Sequence, residues 1–330
     1  MRAVQVKEPG GPGHLFLGDY PMPTPADHEL LVRVGATALN RADLMQRAGL
    51  YPPPPGVSEI LGLEASGVVE AVGASCEGWR VGDRVFGLLP GGGYASYVVL
   101  DYRMAMRMPE GMSFEEAAAI PEVFLTAYQA LFWLGGMATG SRVLVHAGAS
   151  GVGTAALQMI RQTGAQAYAT ASAPKHARCL ELGAAVAIDY REEDFADRIL
   201  AVTAGQGVNI VLDVIGAPYF EKNVRSLAVD GRLVLLSMLG GGRVEQVNLA
   251  ALFRKRIHLI TTTLRSRSPD YKIDLTQAFA SAMLPHFESG QLGPVIDSVF
   301  DWRDVQAAHR YMEGNKNVGK IVLRVGEAEG

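Results

Sequence analysis

Up to about residue 115 the chain alternates short apolar runs with turn residues. "RAVQV", "HELLVRVGATAL", "EASGVVEAVG", "DRVFGLL" and "YASYVVL" are rich in β-branched and aromatic residues, and Gly, Pro and Asp separate them. Strands at this spacing predict a sandwich or partly open barrel. "LYPPPPGVSEI" interrupts the series with four prolines, which remove four backbone donors and favour extended geometry. It reads as a stiff loop beside a site or as a plain surface loop.

From about residue 113 the period changes. In "SFEEAAAIPEVFLTAYQALFWLGG", Ser113 and Glu116 have capping-box spacing, and Leu125, Tyr128, Leu131 and Phe132 follow at helical intervals. Strands and helices then alternate. "RVLVHAG", "QAYATAS", "AVAIDY", "NIVLDVIG", "RLVLLSML" and "IHLITTTL" read as strands, "GVGTAALQMIRQTG" and "PKHARCLELG" as helices. This alternation predicts an α/β fold with a doubly wound parallel sheet. In the tail, Val305, Ala308, His309 and Met312 share one helical face, Gly314 is a stop, and "KIVLRV" is a last strand.

Composition narrows the function. A chain of 330 residues, 48% hydrophobic, builds a large core and predicts two domains. The net charge of −4 gives no general attraction to nucleic acid or anionic membrane. Arg254-Lys255-Arg256 and Arg265-Ser-Arg267 are too short for a basic stripe, and read as solvated element ends. Two distant cysteines, Cys76 and Cys179, exclude a disulfide scaffold and a four-cysteine zinc lobe. The first residues lack a signal-peptide core, and no apolar run reaches membrane-spanning length, so a soluble cytoplasmic protein is expected.

The most informative segment is "RVLVHAGASGVGTAALQM". Read as G-x-G-x-x-G, it has Gly148 first, Ser150 in place of the second glycine, and Gly153 third. Gly151 next door offers room for a pyrophosphate, the Ser150 hydroxyl offers a bond to it, and the following helix supplies the positive end of its dipole. The motif follows a strand and opens a helix, the context that makes it a dinucleotide loop and not a Gly-rich turn. NAD enzymes place an acid some 20 residues on, for the ribose 2′-hydroxyl. Here "YATASAPKHAR" has none, and Ser172, Lys175 and Arg178 suit a 2′-phosphate. NADPH is the expected cofactor.

No metal is expected. The seven histidines form no i, i+3 or i, i+4 pair and none neighbours a cysteine. No G-x-S-x-G elbow occurs. In "ILGLEASGVVE" a single acid, Glu64, sits in an apolar, glycine-spaced run. Such an acid is a metal ligand, a general acid/base or half of a buried ion pair. Without other ligands the ion pair is expected, with Arg41 or Lys320 as the partner.

At this point the chain resembles the medium-chain dehydrogenase/reductase superfamily, in the zinc-free quinone oxidoreductase branch that includes zeta-crystallin. The likeness covers essentially the whole length. It rests on "ALNRADLMQRAGLYPPPPG", "ILGLEASGVVEAVG", "LLPGGGYASYV", "AAAIPEVFLTAYQAL", "HAGASGVGTAALQM", "LRSRS" and "NKNVGKIVL". Within the branch it looks like the subgroup inducible by a tumour suppressor in animals. The resemblance implies a GroES-like β-barrel catalytic domain from residues 1–120 and 266–330 and a Rossmann domain from 121–265. The active site would lie in the cleft between them, and the chain would be a homo-oligomer, dimer or tetramer, pairing through its last Rossmann strands. Where zinc relatives carry ligands, this chain has Asn40 and Leu63.

Carried over residue by residue, Asn40 resembles an asparagine near the nicotinamide ribose and Tyr51 a substrate-pocket tyrosine. These two are the candidate catalytic residues. Ser150, Gly151 and Val152, flanked by Gly148 and Gly153, look like the pyrophosphate loop. Lys175 and Tyr190, with Ser172, match the surroundings of the 2′-phosphate. "ATASAPKH" is shorter than the usual spacing there. Ser237, Met238, Leu239, Gly240, Leu264, Arg265, Ser266 and Asn317 look like the flanks of the nicotinamide, and some relatives carry arginine at or near Asn317.

The expected reaction is metal- and flavin-free hydride transfer from NADPH to a small-molecule quinone. Tyr51 donates a hydrogen bond to the quinone or packs against it. The rival on the same scaffold is an enone or alkenal reductase, which must deliver a proton to carbon. A non-catalytic NADPH- or RNA-binding crystallin-like role is disfavoured by the negative charge and the absent basic stripe.

Overall fold

The computed structural model describes residues 1–326. The chain divides into two compact units, Met1–Leu125 with the chain from Arg265 onward, and Thr126–Leu264.

In the first unit, seven strands form one sheet. Six run in the order Ile296–Asp301, Lys320–Arg324, Glu29–Ala38, Glu64–Val72, Arg84–Leu88 and Ala105–Arg107, and Tyr97–Asp101 also pairs with Glu29–Ala38. All pairings are antiparallel except that of the two C-terminal strands. A separate hairpin joins Arg2–Val6 to Leu15–Asp19. Alternation in "ELLVRVGATA" turns Leu30, Val32 and Val34 into a core with Val69, Val85 and Tyr94. Gly67 faces this strand so closely that a Cβ would lie 2.0 Å from the carbonyl oxygen of Arg33. The helix Val305–Glu313 buries Val305, Ala308, His309 and Met312, the face that its period predicts.

Two helices follow Ser113. Ser113 caps Phe114–Ala118, with its Oγ accepting from Glu116 N at 3.2 Å and Glu116 Oε2 accepting from Ser113 N at 2.8 Å. Pro121 has no N–H to continue that helix, and a second one, Pro121–Tyr128, starts there. It passes into a π-turn, Gln129–Leu134.

The second unit holds six parallel strands in the order Ala184–Asp189, Gln166–Ala171, Arg142–Val145, Val208–Asp213, Leu227–Leu235 and His258–Thr261. Numbered along the chain this is 3-2-1-4-5-6, the doubly wound order whose ligands bind at the carboxyl ends of the central strands. The last two strands end earlier than "RLVLLSML" and "IHLITTTL" suggest, at Leu235 and Thr261, and the first of them already starts at Leu227. Among the described residues, no helix is long and apolar enough to cross a membrane.

Candidate functional site

The nucleotide half belongs to the second unit. Strand Arg142–Val145 leads through Ala147, in the left-handed region at φ 52°, into the helix Gly151–Gln162. The tight turn therefore falls on Ala147, one residue before the glycine expected to make it. Gly148 and Gly153 serve close approach: a Cβ at Gly148 would lie 2.7 Å from Ala169 Cβ, and one at Gly153 would lie 2.4 Å from Ala147 O. Ser150 caps the helix, its Oγ accepting from Gly153 N at 3.1 Å. The first-turn amides of Gly151 and Val152 have no acceptor within the helix. A loop that tight, ending in first-turn amides, fits a pyrophosphate.

A buried network fixes this loop. Asn223 Nδ2 donates to Asp213 Oδ2 at 2.9 Å, so its Oδ1 accepts from His146 Nε2 at 2.7 Å. His146 Nδ1 then accepts from the Thr170 hydroxyl at 2.9 Å, whose oxygen takes the amide of Ala147 at 3.4 Å. Asp213 Oδ1 accepts from the amides of Ile215 and Gly216 at 2.6 and 3.1 Å. The carboxyl ends of three strands are thus tied together around a neutral imidazole, and burial lowers the His146 pKa to about 4.

At the end of strand Gln166–Ala171, Ser172 precedes a single 3-10 turn ending at Lys175. The acid in this corner is Asp189, on the neighbouring strand. Its oxygens accept from Ala173 N and Arg191 N, both at 3.0 Å, and these bonds hold its pKa low. Arg178, expected to help bind a 2′-phosphate, is paired with Glu181 at 2.5 Å. Arg191 lies over the half-exposed ring of Tyr190, 5.6 Å from its centroid. Sequence reasoning missed Arg191, although it follows Tyr190 directly. Ser237 is half-buried and Met238, Leu239 and Gly240 are exposed after strand Leu227–Leu235, while Leu264 is buried. Leu239 N and Gly240 N still donate to Val214 O and Ile215 O, at 3.1 and 2.8 Å.

The other predicted site residues belong to the first unit. Asn40 caps the helix Arg41–Arg47, and Asp43 closes the turn by accepting Asn40 N at 2.7 Å on Oδ2 and Gly62 N at 2.9 Å on Oδ1. Gly62 sits at φ 99°, where a Cβ would lie 2.6 Å from the Tyr94 ring. Burial lifts the Asp43 pKa to about 6. Glu64 has no solvent exposure. Its Oε1 accepts from Lys320 Nζ at 2.7 Å and Asn40 Nδ2 at 2.8 Å, and its Oε2 accepts from Glu122 N at 2.8 Å. Lys320 Nζ also donates to Leu39 O and Asn40 Oδ1, both at 2.7 Å. The acid of "ILGLEASGVVE" is therefore half of a buried ion pair, with Lys320 as its cation; Arg41 instead bonds Asn315 Oδ1. Asn40 uses both ends of its amide inside this cluster, with a further Nδ2 contact to Ala38 O at 3.3 Å.

Glu122 stands next to this pair, on the first turn of Pro121–Tyr128. Burial first, then the Glu64 carboxylate, push the carboxyl of this residue up to about 8. Sequence reasoning missed it; the signal was an acid in the apolar run "AAAIPEVFL". Tyr51 lies beneath Arg265, 5.3 Å from ring centroid to guanidinium carbon. Burial raises its phenol pKa and Arg265 opposes that. Arg265 is 8% exposed, with Nε donating to Pro90 O at 3.0 Å. Its Nη1 and Nη2 are buried with no partner. Lys272 Nζ reaches Arg265 O at 3.4 Å. Ser266 follows Arg265, and Asn317 Nδ2 donates to Gly319 O at 2.8 Å. Tyr51, Asn40, Arg265, Ser266 and Asn317 thus belong to one unit, and Gly148 to Gly153, Ser172, Lys175, Tyr190, Ser237 to Gly240 and Leu264 to the other.

Two protein-family profiles match: an alcohol dehydrogenase GroES-like domain over residues 26–110 and a zinc-binding dehydrogenase over 182–323. The human protein called quinone oxidoreductase is 32% identical over 98% of this chain and 97% of its own length. The zebrafish synaptic vesicle membrane protein VAT-1 homolog is 35% identical over 89% of this chain, and the chain spans 64% of that protein's length. A mycobacterial protein, Rv1454c, solved in complex with NADPH, superimposes with TM-score 0.87 at 31% identity, over 98% of this chain and all of that one. The CurK enoyl reductase superimposes with TM-score 0.86 at 31% identity, over 98% of this chain and 99% of that one. The chain belongs to the medium-chain dehydrogenase/reductase superfamily, as an oxidoreductase with a nicotinamide dinucleotide-binding domain. Full-length relatives in the quinone oxidoreductase branch support its place there. Among the described residues, no group of three His, Cys, Asp or Glu is placed to hold a metal ion.

Proposed function

We propose that this chain is a flavin-free, metal-independent reductase that takes reducing equivalents from NADPH and delivers them to a quinone. The observation that carries the metal-free reading is the Lys320 ammonium. Its three bonds at 2.7 Å to Leu39 O, Asn40 Oδ1 and Glu64 Oε1 put a fixed positive charge against the fully buried Glu64 carboxylate. A second cation there would meet that charge at contact distance.

When bound, the dinucleotide supplies hydride. Gly151, Val152 and Ser150 would hold its pyrophosphate, and Lys175, Ser172, Tyr190 and Arg191 its 2′-phosphate. NADPH is favoured because Asp189, the acid in that corner, is engaged by two backbone amides, and Arg191 stands beside it. On the acceptor side, Tyr51 offers a ring face for a planar acceptor and Arg265 offers two donors. The name of the full-length human relative supports a quinone as that acceptor.

The likeness to an enoyl reductase favours a second reading, an NADPH-dependent enone or alkenal reductase. A panel of quinones and α,β-unsaturated ketones at equal concentration separates them. The quinone reading predicts kcat/KM at least tenfold higher for quinones; the reverse order establishes the second.

A further inference from the structure

Two groups in the acceptor half are unexplained by folding. Arg265 is buried with its Nη1 and Nη2 lacking any partner. Buried charged donors are costly to leave unbonded, and a bound anionic oxygen would satisfy these two. Glu122 is an acid that folding places against another acid. Its own backbone amide is tied to Glu64 Oε2 at 2.8 Å, so its carboxyl is held in the field of the Glu64 carboxylate.

We propose that Glu122 is the proton donor of this site, passing its carboxyl proton to the acceptor oxygen that becomes anionic on reduction, while the two unpartnered amino groups of Arg265 hold that oxygen. This rests on the reductase reading and names the groups that complete it.

The chemistry balances. The acceptor gains a hydride, with its electron pair, from NADPH. An O–H bond forms on the resulting oxyanion as the Glu122 O–H bond breaks. Glu122 is left as a carboxylate among Lys320, Arg265 and Lys272, and solvent returns its proton. Tyr51 is the poorer donor, because burial raises its phenol pKa. Glu122, protonated up to about 8, holds a proton near neutrality and gives it up more readily than a phenol does. Its charged neighbours from every element packed around it are Glu64, Lys320, Asp43, Arg265 and Lys272, with the titratable Tyr51 on the loop. Asp43 titrates near 6 behind Asn40 and Gly62, two pH units away from Glu122.

Two measurements test this. The first needs no turnover: carbon NMR of protein labelled at glutamate carboxyls, with Glu122 assigned as the resonance missing from Glu122→Gln. That carbon is expected to move as pH crosses about 8, and movement confined below pH 5 overturns the proposal. The second is the pH–rate profile with an ortho-quinone. Wild type is expected to lose kcat about tenfold per pH unit above 8, while Glu122→Gln runs on a flat profile about a hundredfold lower. Arg265→Met is expected to lower kcat comparably at pH 7, and Glu122→Gln to keep NADPH affinity within threefold of wild type. An active wild type whose Glu122→Gln variant keeps its rate and profile overturns the donor role alone. A wild type inactive on every quinone and enone overturns the reductase reading with it.

Discussion

Glu122 also makes a prediction about stability that no substrate is needed to test. In the unfolded chain its carboxyl titrates near 4.5, and in the folded chain near 8. Between those values the native protein holds one proton more than the unfolded one, so stability falls as pH rises through this window and levels off above it. Each unit corresponds to about 1.4 kcal/mol, and the full window to about 5 kcal/mol. Glu122 is a half-buried residue, solvent screens the effect, and about 2 to 3 kcal/mol is the expected total. Glu122→Gln keeps the shape and removes the titration. Its stability relative to wild type should be near zero at pH 4.5 and rise to about 2 to 3 kcal/mol in favour of the variant by pH 8.5. The assay is urea unfolding followed by tryptophan fluorescence. Trp133, the tryptophan of the other unit, is replaced by Phe, so that Trp79 and Trp302 report on the unit that holds Glu122. Asp43, raised to about 6, titrates in both proteins and cancels in the difference. A stability difference constant from pH 5 to 8.5 would refute the reasoning.

Three further predictions concern other parts of the chain. Lys320→Met leaves the Glu64 carboxylate buried without its cation and should cost about 3–5 kcal/mol, most of it recovered in Lys320→Met/Glu64→Leu; equal melting points for the two variants would contradict the pair. Lys175→Ala should weaken NADPH binding tenfold or more and leave NADH within threefold, as fluorescence titration measures; equal loss for both cofactors removes the 2′-phosphate role. The edge strand His258–Thr261 and the segment before it expose Leu259, Phe253 and Leu249, at 51%, 84% and 72%. Such an edge needs cover. Leu259→Lys/Phe253→Glu should convert a homo-oligomer to a monomer in sedimentation equilibrium, and a wild type that sediments as a monomer ends that proposal.

Much of this was legible in the sequence because period and spacing are local. The parallel strands of the second unit, the face of Val305–Glu313 and the cap at Ser113 follow from neighbouring residues alone. Arg178 pairs with Glu181, one turn away on the same helix, and Arg191 lies over Tyr190, contacts that depend on the fold around them. The ion pair of Glu64 could be foreseen, since a buried acid without metal ligands needs a cation. Glu122 could not. Its proton depends on where Glu64 and Asp43 come to rest, 58 and 79 residues earlier in the chain. The resemblance puts Arg265 beside the cofactor, and its burial over Tyr51 with two unpartnered donors is a fact of packing that spacing along the chain does not carry.

The central claim, that this chain moves electrons from NADPH to a quinone without a metal, is tested most directly by one measurement. NADPH oxidation is followed with an ortho-quinone in the presence of a metal chelator, with NADH in parallel. The account predicts turnover unchanged by the chelator and at least tenfold higher kcat/KM for NADPH than for NADH. Loss of activity on chelation that zinc restores, or no turnover across a broad panel of quinones, would contradict it.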